Sequence, residues 1–432
     1  MKNRNTNNKP LIGFFPLFYN LAETGHGVLI AKRYMEMGGQ AIFFSHGGEY
    51  EYLAKEIGCE VIRVKPIYDK EYIDLLWKSS RLETYKNPFS TNILNEHVKE
   101  EVKAFKKTKI KMIVSDNNWP CRISARVANI PLISVAANFV HSYTKYPEDA
   151  EFIFTRFLPN WLKLIVINWL SPRSKFYVGS FRKISKKYGL EPPRYSIDIN
   201  KGDYTFYTNY PEFLGINTKD IAEDEYYIGP LSLEELFTDK VDIKDIEKTE
   251  RKIENHLNKK GKSILFSLGS SGTKELFLKI LNVLDKTDYN VIAVYTSILK
   301  EEEIPDLSEN IILEKYVPSI EKINKMVDLA IIHGGWSTVI TAAISGKPVI
   351  GFPMQFEQHL NLEVLVRHNV GTIALKNKIK NGELKNLIDE IFDNYDYYYN
   401  NAQKLAKKLP PPKGDIRAAK KIIEIQKKEG II

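Results

Sequence analysis

Hydrophobic residues along the chain fall into short unbroken runs, separated by longer stretches in which apolar positions return every three or four residues. The runs are Leu11 to Leu17, Ala41 to Ser45, Ile110 to Ser115 and Leu132 to Ala136, then Ser263 to Leu268, Asn290 to Tyr295, Asn310 to Glu314, Leu329 to Ile332 and Pro348 to Phe352. Runs without polar alternation fit parallel strands whose two faces are both covered by helices. Two such series predict an α/β protein built twice over. Between them, Tyr143 to Pro230 is rich in aromatic and basic residues and follows no regular strand-helix alternation, which predicts an insertion shaping one domain's cleft. Gly229-Pro230 breaks the chain, and a charged helical stretch leads into the second series. The predicted divisions are residues 1–228, residues 231–410, and a helix over 411–432. In that helix Ile416, Ala419, Ile422, Ile423 and Ile425 give an apolar face able to pack back on the first domain.

Composition narrows the class. The 432 residues are 43% hydrophobic and 27% charged, too apolar for a disordered chain and long enough for two or three packed units. A net charge of +8 suits anionic ligands such as nucleotides or lipid head groups without choosing among them. Nucleic acid is not expected, because the basic residues form no sustained stripe and no known RNA- or DNA-binding motif is present. Cys59 and Cys121 are too few for a disulfide framework and lack metal-ligand spacing, so a reducing, cytoplasmic compartment is expected. No apolar run reaches the roughly 18 residues needed to cross a bilayer, and residues 1–10 do not resemble a signal peptide.

The most informative segment is Ile331-Ile332-His333-Gly334-Gly335-Trp336-Ser337-Thr338: an apolar strand, a glycine pair, then hydroxyl residues opening a helix. Glycines let a backbone approach a ligand closely, and a helix start offers free N–H groups to a phosphate. An ordinary strand-helix turn would read the same way in isolation. The next strand, ending at Phe352-Pro353, delivers Gln355, Glu357, Gln358, His359 and Asn361 to the same carboxyl edge, where ligands of open α/β sheets bind. A carboxylate beside an amide suits a polyhydroxylated ring; a solvated helix start is the alternative.

Together, His333 to Asn361 resembles the donor-binding signature of the UDP-glycosyltransferase superfamily, of the family 1 type that includes macrolide and lipid glycosyltransferases. The resemblance implies a GT-B fold, two Rossmann-like domains facing across a cleft. It also implies that His333, Gly334, Gly335, Ser337 and Thr338 meet the donor diphosphate and that Glu357 and Gln358 bind sugar hydroxyls. Val317-Pro318-Ser319 resembles the family's base-holding segment, with Ser319 where many members have glutamine. Phe266-Ser267-Leu268-Gly269-Ser270 resembles its first strand-to-loop turn, which brings Gly269 and Ser270 to the phosphates. Thr341 stands where most members carry a ribose-binding glutamate. That departure weakens the expectation of tight ribose recognition.

The amino-terminal half resembles the family's acceptor domain, with Thr24-Gly25-His26-Gly27 between the first strand and its helix. A histidine there can take a proton from an acceptor hydroxyl, because its ordinary pKa lies near working pH. Asp116, at the carboxyl end of another strand, is the expected partner holding the imidazole. Helix capping is the plainer reading of each. The expected activity is inverting transfer of a sugar from a nucleotide sugar, a UDP-sugar, to a hydroxyl on a hydrophobic small molecule or lipid. Neither a cofactor nor a metal is expected. A nucleotide-sugar epimerase of the same fold and a non-catalytic nucleotide- or carbohydrate-binding protein are the alternatives. Finally, residues 157–187 join an apolar, tryptophan-bearing helix to Arg173, Lys175, Arg182, Lys183, Lys186 and Lys187. This fits either a peripheral membrane contact at the inner face or the wall of a hydrophobic acceptor pocket.

Overall fold

The structure, a computed structural model, describes residues 10–80, 83–136, 157–236, 243–269, 272–296, 298–317, 319–354, 356–374 and 383–432. Ser270, Pro318 and Gln355, and residues 143–156 of the middle region, lie outside the described residues.

Two parallel sheets organise the molecule. The first contains β1 (Leu11–Pro16), β2 (Gln40–Ser45), β3 (Val61–Arg63), β4 (Ile113–Asp116), β5 (Leu132–Ala136), β6 (Tyr204–Tyr207) and β7 (Glu225–Tyr227), in the order β3-β2-β1-β4-β5-β6-β7. The second contains β8 (Ser263–Ser267), β9 (Asn290–Val294), β10 (Ile311–Glu314), β11 (Leu329–Ile332), β12 (Val349–Gly351) and β13 (Gly371–Ile373), in the order β10-β9-β8-β11-β12-β13. Each is therefore doubly wound, and its strand order reverses beside its own first strand. That reversal opens a crevice at the carboxyl edge, between β1 and β4 in one sheet and between β8 and β11 in the other. The α/β expectation holds, as a GT-B arrangement of two Rossmann-like sheets.

The strands form because Val, Ile and Phe dominate them, and helices bury both of their faces. Phe14, Phe43, Val114 and Phe206 of the first sheet, and Ile264, Phe266, Val291 and Ile331 of the second, are almost wholly excluded from solvent. Local signals set the helix ends. Asn20 Oδ1 accepts from Ala22 N at 3.0 Å to start the helix Leu21–Glu36, and left-handed Gly346 ends the helix Trp336–Ser345.

The terminal helix Gly414–Lys428 packs on Leu21–Glu36. Ala418, Ala419, Ile422 and Ile425 join Val28, Ile30 and Tyr34 in one apolar cluster, while Arg33 Nε donates to Asp415 at 2.6 Å. A second joint forms where Phe213 and Tyr210, which follow β6, enter the apolar cluster of the second sheet together with Ile167. Tyr210 donates to the Pro410 carbonyl at 2.6 Å.

Candidate functional site

At the first crevice, β1 and β4 are neighbours with Pro16 opposite Asp116. The chain leaves β1, turns, and enters the helix bearing His26, so His26 returns to the same edge. Its Nδ1 lies 2.9 Å from Asp116 Oδ2. Asp116 is 6% exposed, whereas the His26 side chain keeps 18% exposure. Burial opposes protonation of the imidazole, but the hydrogen bond and charge of Asp116, with Glu23 adding to them, outweigh it and raise the His26 pKa above its ordinary value. Burial likewise raises the Asp116 carboxyl, an effect its hydrogen bond to His26 offsets only in part. An aspartate on Nδ1 fixes the tautomer that leaves Nε2 a lone pair. Chemically, this is an imidazole held in one orientation by a buried carboxylate.

Two residues here escaped the sequence reading. Glu23 lies one helical turn before His26; its Oε1 accepts from Asn117 Nδ2 at 3.1 Å, and its buried Oε2 has no partner among the described residues. Burial and the negative charge of Asp116 push its carboxyl up to about 7. The spacing from His26 was the available signal, because residues three apart share a helix face. Asn118, two residues past Asp116, is 4% exposed, and neither atom of its amide finds a partner among the described residues. Nothing in the sequence separates it from a loop asparagine.

At the second crevice β8 and β11 are neighbours, with Ser267 opposite Ile332. The loops beyond them close on the His333 ring from two sides. A Cβ on Gly269, which sits at φ +58, would come 2.5 Å from His333 Cε1, and one on Gly335 would come 2.4 Å from Nε2. Both glycines are therefore demanded by the imidazole between them. Burial lowers His333 to about 4, countered only in part by the Ser267 backbone, so the ring is neutral near pH 7 and offers a hydrogen bond without charge. Positive character comes instead from the start of the helix Trp336–Ser345, where Gly335 is the N-cap and no acidic residue occupies the first turn. Ser337 is exposed there and Thr338 half-buried.

The remaining expected residues divide into two groups. Gly334, at φ +88, passes so close to the Gln358 carbonyl that a Cβ would lie 2.6 Å from it, and Asn361 Nδ2 donates to the Gly334 carbonyl at 3.1 Å. Gln358 is buried with Oε1 accepting from Met354 N at 2.9 Å, so its carbonyl braces the loop after β12. Glu357 beside it is exposed. Val317 packs partly into the cluster under β9, and Ser319 Oγ accepts from Lys322 N at 3.2 Å as a helix cap. Thr341 Oγ1 donates to the Ser337 carbonyl at 2.7 Å and is occupied within its own helix. Trp336 was not singled out from the sequence. Its indole donates to Thr208 O at 3.4 Å and packs 5.7 Å from the Phe213 ring, which ties the glycine turn to the first domain.

Two doubly wound sheets, each with candidate side chains at its strand-order reversal, define a two-domain GT-B protein. Residues 263–413 match the glycosyltransferase family 28 C-terminal domain. A PGL/p-HBAD biosynthesis glycosyltransferase of Mycobacterium tuberculosis is 24% identical over 75% of this chain and 72% of its own length. A PGL/p-HBAD biosynthesis rhamnosyltransferase of Mycobacterium bovis is 22% identical over 72% of this chain and 66% of its own. Among solved structures, the calicheamicin glycosyltransferase CalG4 is similar with a TM-score of 0.70, covering 98% of this chain and 99% of its own at 13% identity. The spinosyn rhamnosyltransferase SpnG complexed with thymidine diphosphate is similar with a TM-score of 0.60, over 96% of this chain and 100% of its own at 10% identity. Residues 263–413 are thus similar to a glycosyltransferase C-terminal domain, and the chain as a whole is similar to glycosyltransferases.

Proposed function

We propose that the protein transfers a sugar from a UDP-sugar to a hydroxyl of a hydrophobic small molecule or lipid, with inversion at the anomeric carbon and without a bound metal. The observation that carries this reading is the His26–Asp116 contact at the crevice of one sheet, paired with the His333 glycine turn at the crevice of the other. In the proposed step His26 Nε2 removes the acceptor proton, and the acceptor oxygen bonds to the anomeric carbon as that carbon's bond to the phosphate oxygen breaks. The nucleoside diphosphate leaves against the N–H groups of the helix Trp336–Ser345. Asp116 stabilises the resulting imidazolium. Attack by an acceptor opposite the departing diphosphate inverts the carbon.

The names of the relatives, which place them in PGL/p-HBAD biosynthesis, support a transfer reaction over the epimerase reading. Incubating the protein with UDP-glucose, UDP-galactose, UDP-N-acetylglucosamine or a dTDP-sugar, with and without extracted lipids, tests it. The expected result is a glycosylated product of inverted configuration that requires an acceptor and persists in EDTA. Conversion of the donor alone to a stereoisomer would establish an epimerase instead.

A further inference from the structure

The helix Asn160–Leu170 has its polarity reversed relative to a helix in water. Trp161, Ile165 and Trp169, spaced by four residues and hence on one face, are 64%, 57% and 59% exposed. Phe157, one turn earlier, is 92% exposed, and Phe176 just beyond is 42% exposed. On the opposite side, Ile167 is 3% exposed in the cluster at the domain junction, and Lys163 is 8% exposed. A water-facing helix does the opposite, and contiguous apolar surface on a soluble protein marks an interaction site.

The charge around the stripe indicates what covers it. Residues 157–190 carry Lys163, Arg173, Lys175, Arg182, Lys183, Lys186 and Lys187 and no acidic residue. The guanidinium of Arg173 lies 5.2 Å from the Trp169 ring, which places a cation at the rim of the stripe. Lys175, Lys183 and Lys186 are exposed. A tryptophan-bearing stripe with a cation at its rim, in a segment that is basic throughout and carries no acid, matches the boundary between acyl chains and anionic head groups, where tryptophan is enriched and each basic residue is attracted by the surface potential. The helix has 11 residues, and no helix among the described residues is long and apolar enough to cross a membrane. It would therefore lie in the plane of the bilayer surface.

We propose that the face formed by Phe157, Trp161, Ile165, Trp169 and Phe176 docks the protein onto an anionic lipid membrane. The inner side of this helix packs at the domain junction beside Phe213, so docking sets that junction against the lipid surface. The inference does not depend on the transfer reaction, and its readout does not use activity.

The test is co-sedimentation of the full chain with vesicles of phosphatidylcholine alone and of phosphatidylcholine mixed with phosphatidylglycerol. Binding to the anionic vesicles, weakening as salt rises, is expected, with tryptophan emission moving to shorter wavelength on binding. The surface substitutions Trp161→Ser and Trp169→Ser together should lower the partition coefficient about tenfold or more. Lys175→Glu, Lys183→Glu and Lys186→Glu together should remove the salt-sensitive part. Circular dichroism and thermal melting establish that each variant is folded. The proposal fails if the wild-type chain stays in the supernatant at low salt, or if the double tryptophan variant binds as well as the parent. It also fails if light scattering shows a dimer that the tryptophan variant dissolves, which would make the stripe a contact between copies of this chain.

Discussion

His26 and Asp116 are 90 residues apart in sequence and 2.9 Å apart in the fold. The distance is set by the register of β1 against β4, which puts Pro16 opposite Asp116 at the carboxyl edge. The helix after β1 begins within a few residues, so its first turns cannot avoid the end of β4. The imidazole and the carboxylate that holds it are thus placed by strand adjacency, on rigid elements.

If the pair acts as a unit, His26→Ala should lower turnover by about 100-fold or more while leaving nucleotide affinity nearly unchanged. Asp116→Asn should then cost much less in the His26→Ala background than alone, since its effect passes through the imidazole. Single-turnover rates of the two single variants and the double variant, with calorimetry of nucleotide binding, check both statements. Additive losses would mean that Asp116 works independently.

Glu23 leads to a pH prediction with a definite sign. The proposed transfer needs a neutral His26, whose pKa is held above its ordinary value by Asp116 and, behind it, Glu23. Glu23 is pushed up to about 7, so it is ionised only over the upper part of the acid limb, and there Glu23→Gln removes one of the anions that favour the imidazolium. The His26 pKa should fall and the acid limb of kcat/KM should move to lower pH by a few tenths of a pH unit, with the plateau rate preserved. The other groups facing Glu23 are Asp116, His26, Asn117 and Tyr19; Asp116 remains as the anion on the imidazole, so the shift is only partial. An unmoved acid limb would place Glu23 outside the titration.

How much of this was legible beforehand follows from where the information resides. Nine strands showed as apolar runs because parallel strands covered on both faces need no partner-dependent pattern. The strands missed were Val61–Arg63, Tyr204–Tyr207, Glu225–Tyr227 and Gly371–Ile373, all at or next to sheet edges, and three of them only three residues long. So short a strand is defined by the neighbour it pairs with more than by its own residues. The glycine turn at His333 could be read locally, since strand, turn and helix start are contiguous. What holds that turn could not: the bracing of Gly334 by Asn361 and the link from Trp336 to Thr208 arise from chain segments brought together by folding.

The glycine clasp itself can be tested. Gly269→Ala forces an L residue to φ +58 and sets its methyl against the His333 ring. The left-handed conformation costs about 1–2 kcal/mol, and displacement of the ring adds to it. Nucleotide affinity should fall about tenfold or more, and the melting temperature should drop by a few degrees. If displacement of the imidazole is the cause, most of the added binding loss should vanish in a His333→Ala background. A double-mutant cycle read by calorimetry decides it.

Thr341 bears on the choice of donor. Its hydroxyl is already committed to the Ser337 carbonyl at 2.7 Å, and its side chain is too short to span two ribose hydroxyls. A glutamate at this position would present two acceptor oxygens on a longer arm, so that both the 2′ and 3′ hydroxyls could donate to it. UDP has a ribose 2′ hydroxyl and dTDP does not. With threonine in place, that difference should go largely unread, and UDP and dTDP should bind with affinities within about fivefold of each other, because no charge-assisted hydrogen bond to the 2′ hydroxyl separates them. Thr341→Glu should then favour UDP over dTDP by about tenfold or more, the scale of one hydrogen bond to a charged group. It should do so without loosening UDP, since position 341 is half-buried and lies one turn along the same helix from Ser337 at its start. Calorimetric titration of both nucleotides against parent and variant measures the change. A large loss of UDP affinity in the variant would show instead that the threonine belongs to a pocket too narrow for the longer acid, and would move recognition of the nucleoside to other residues.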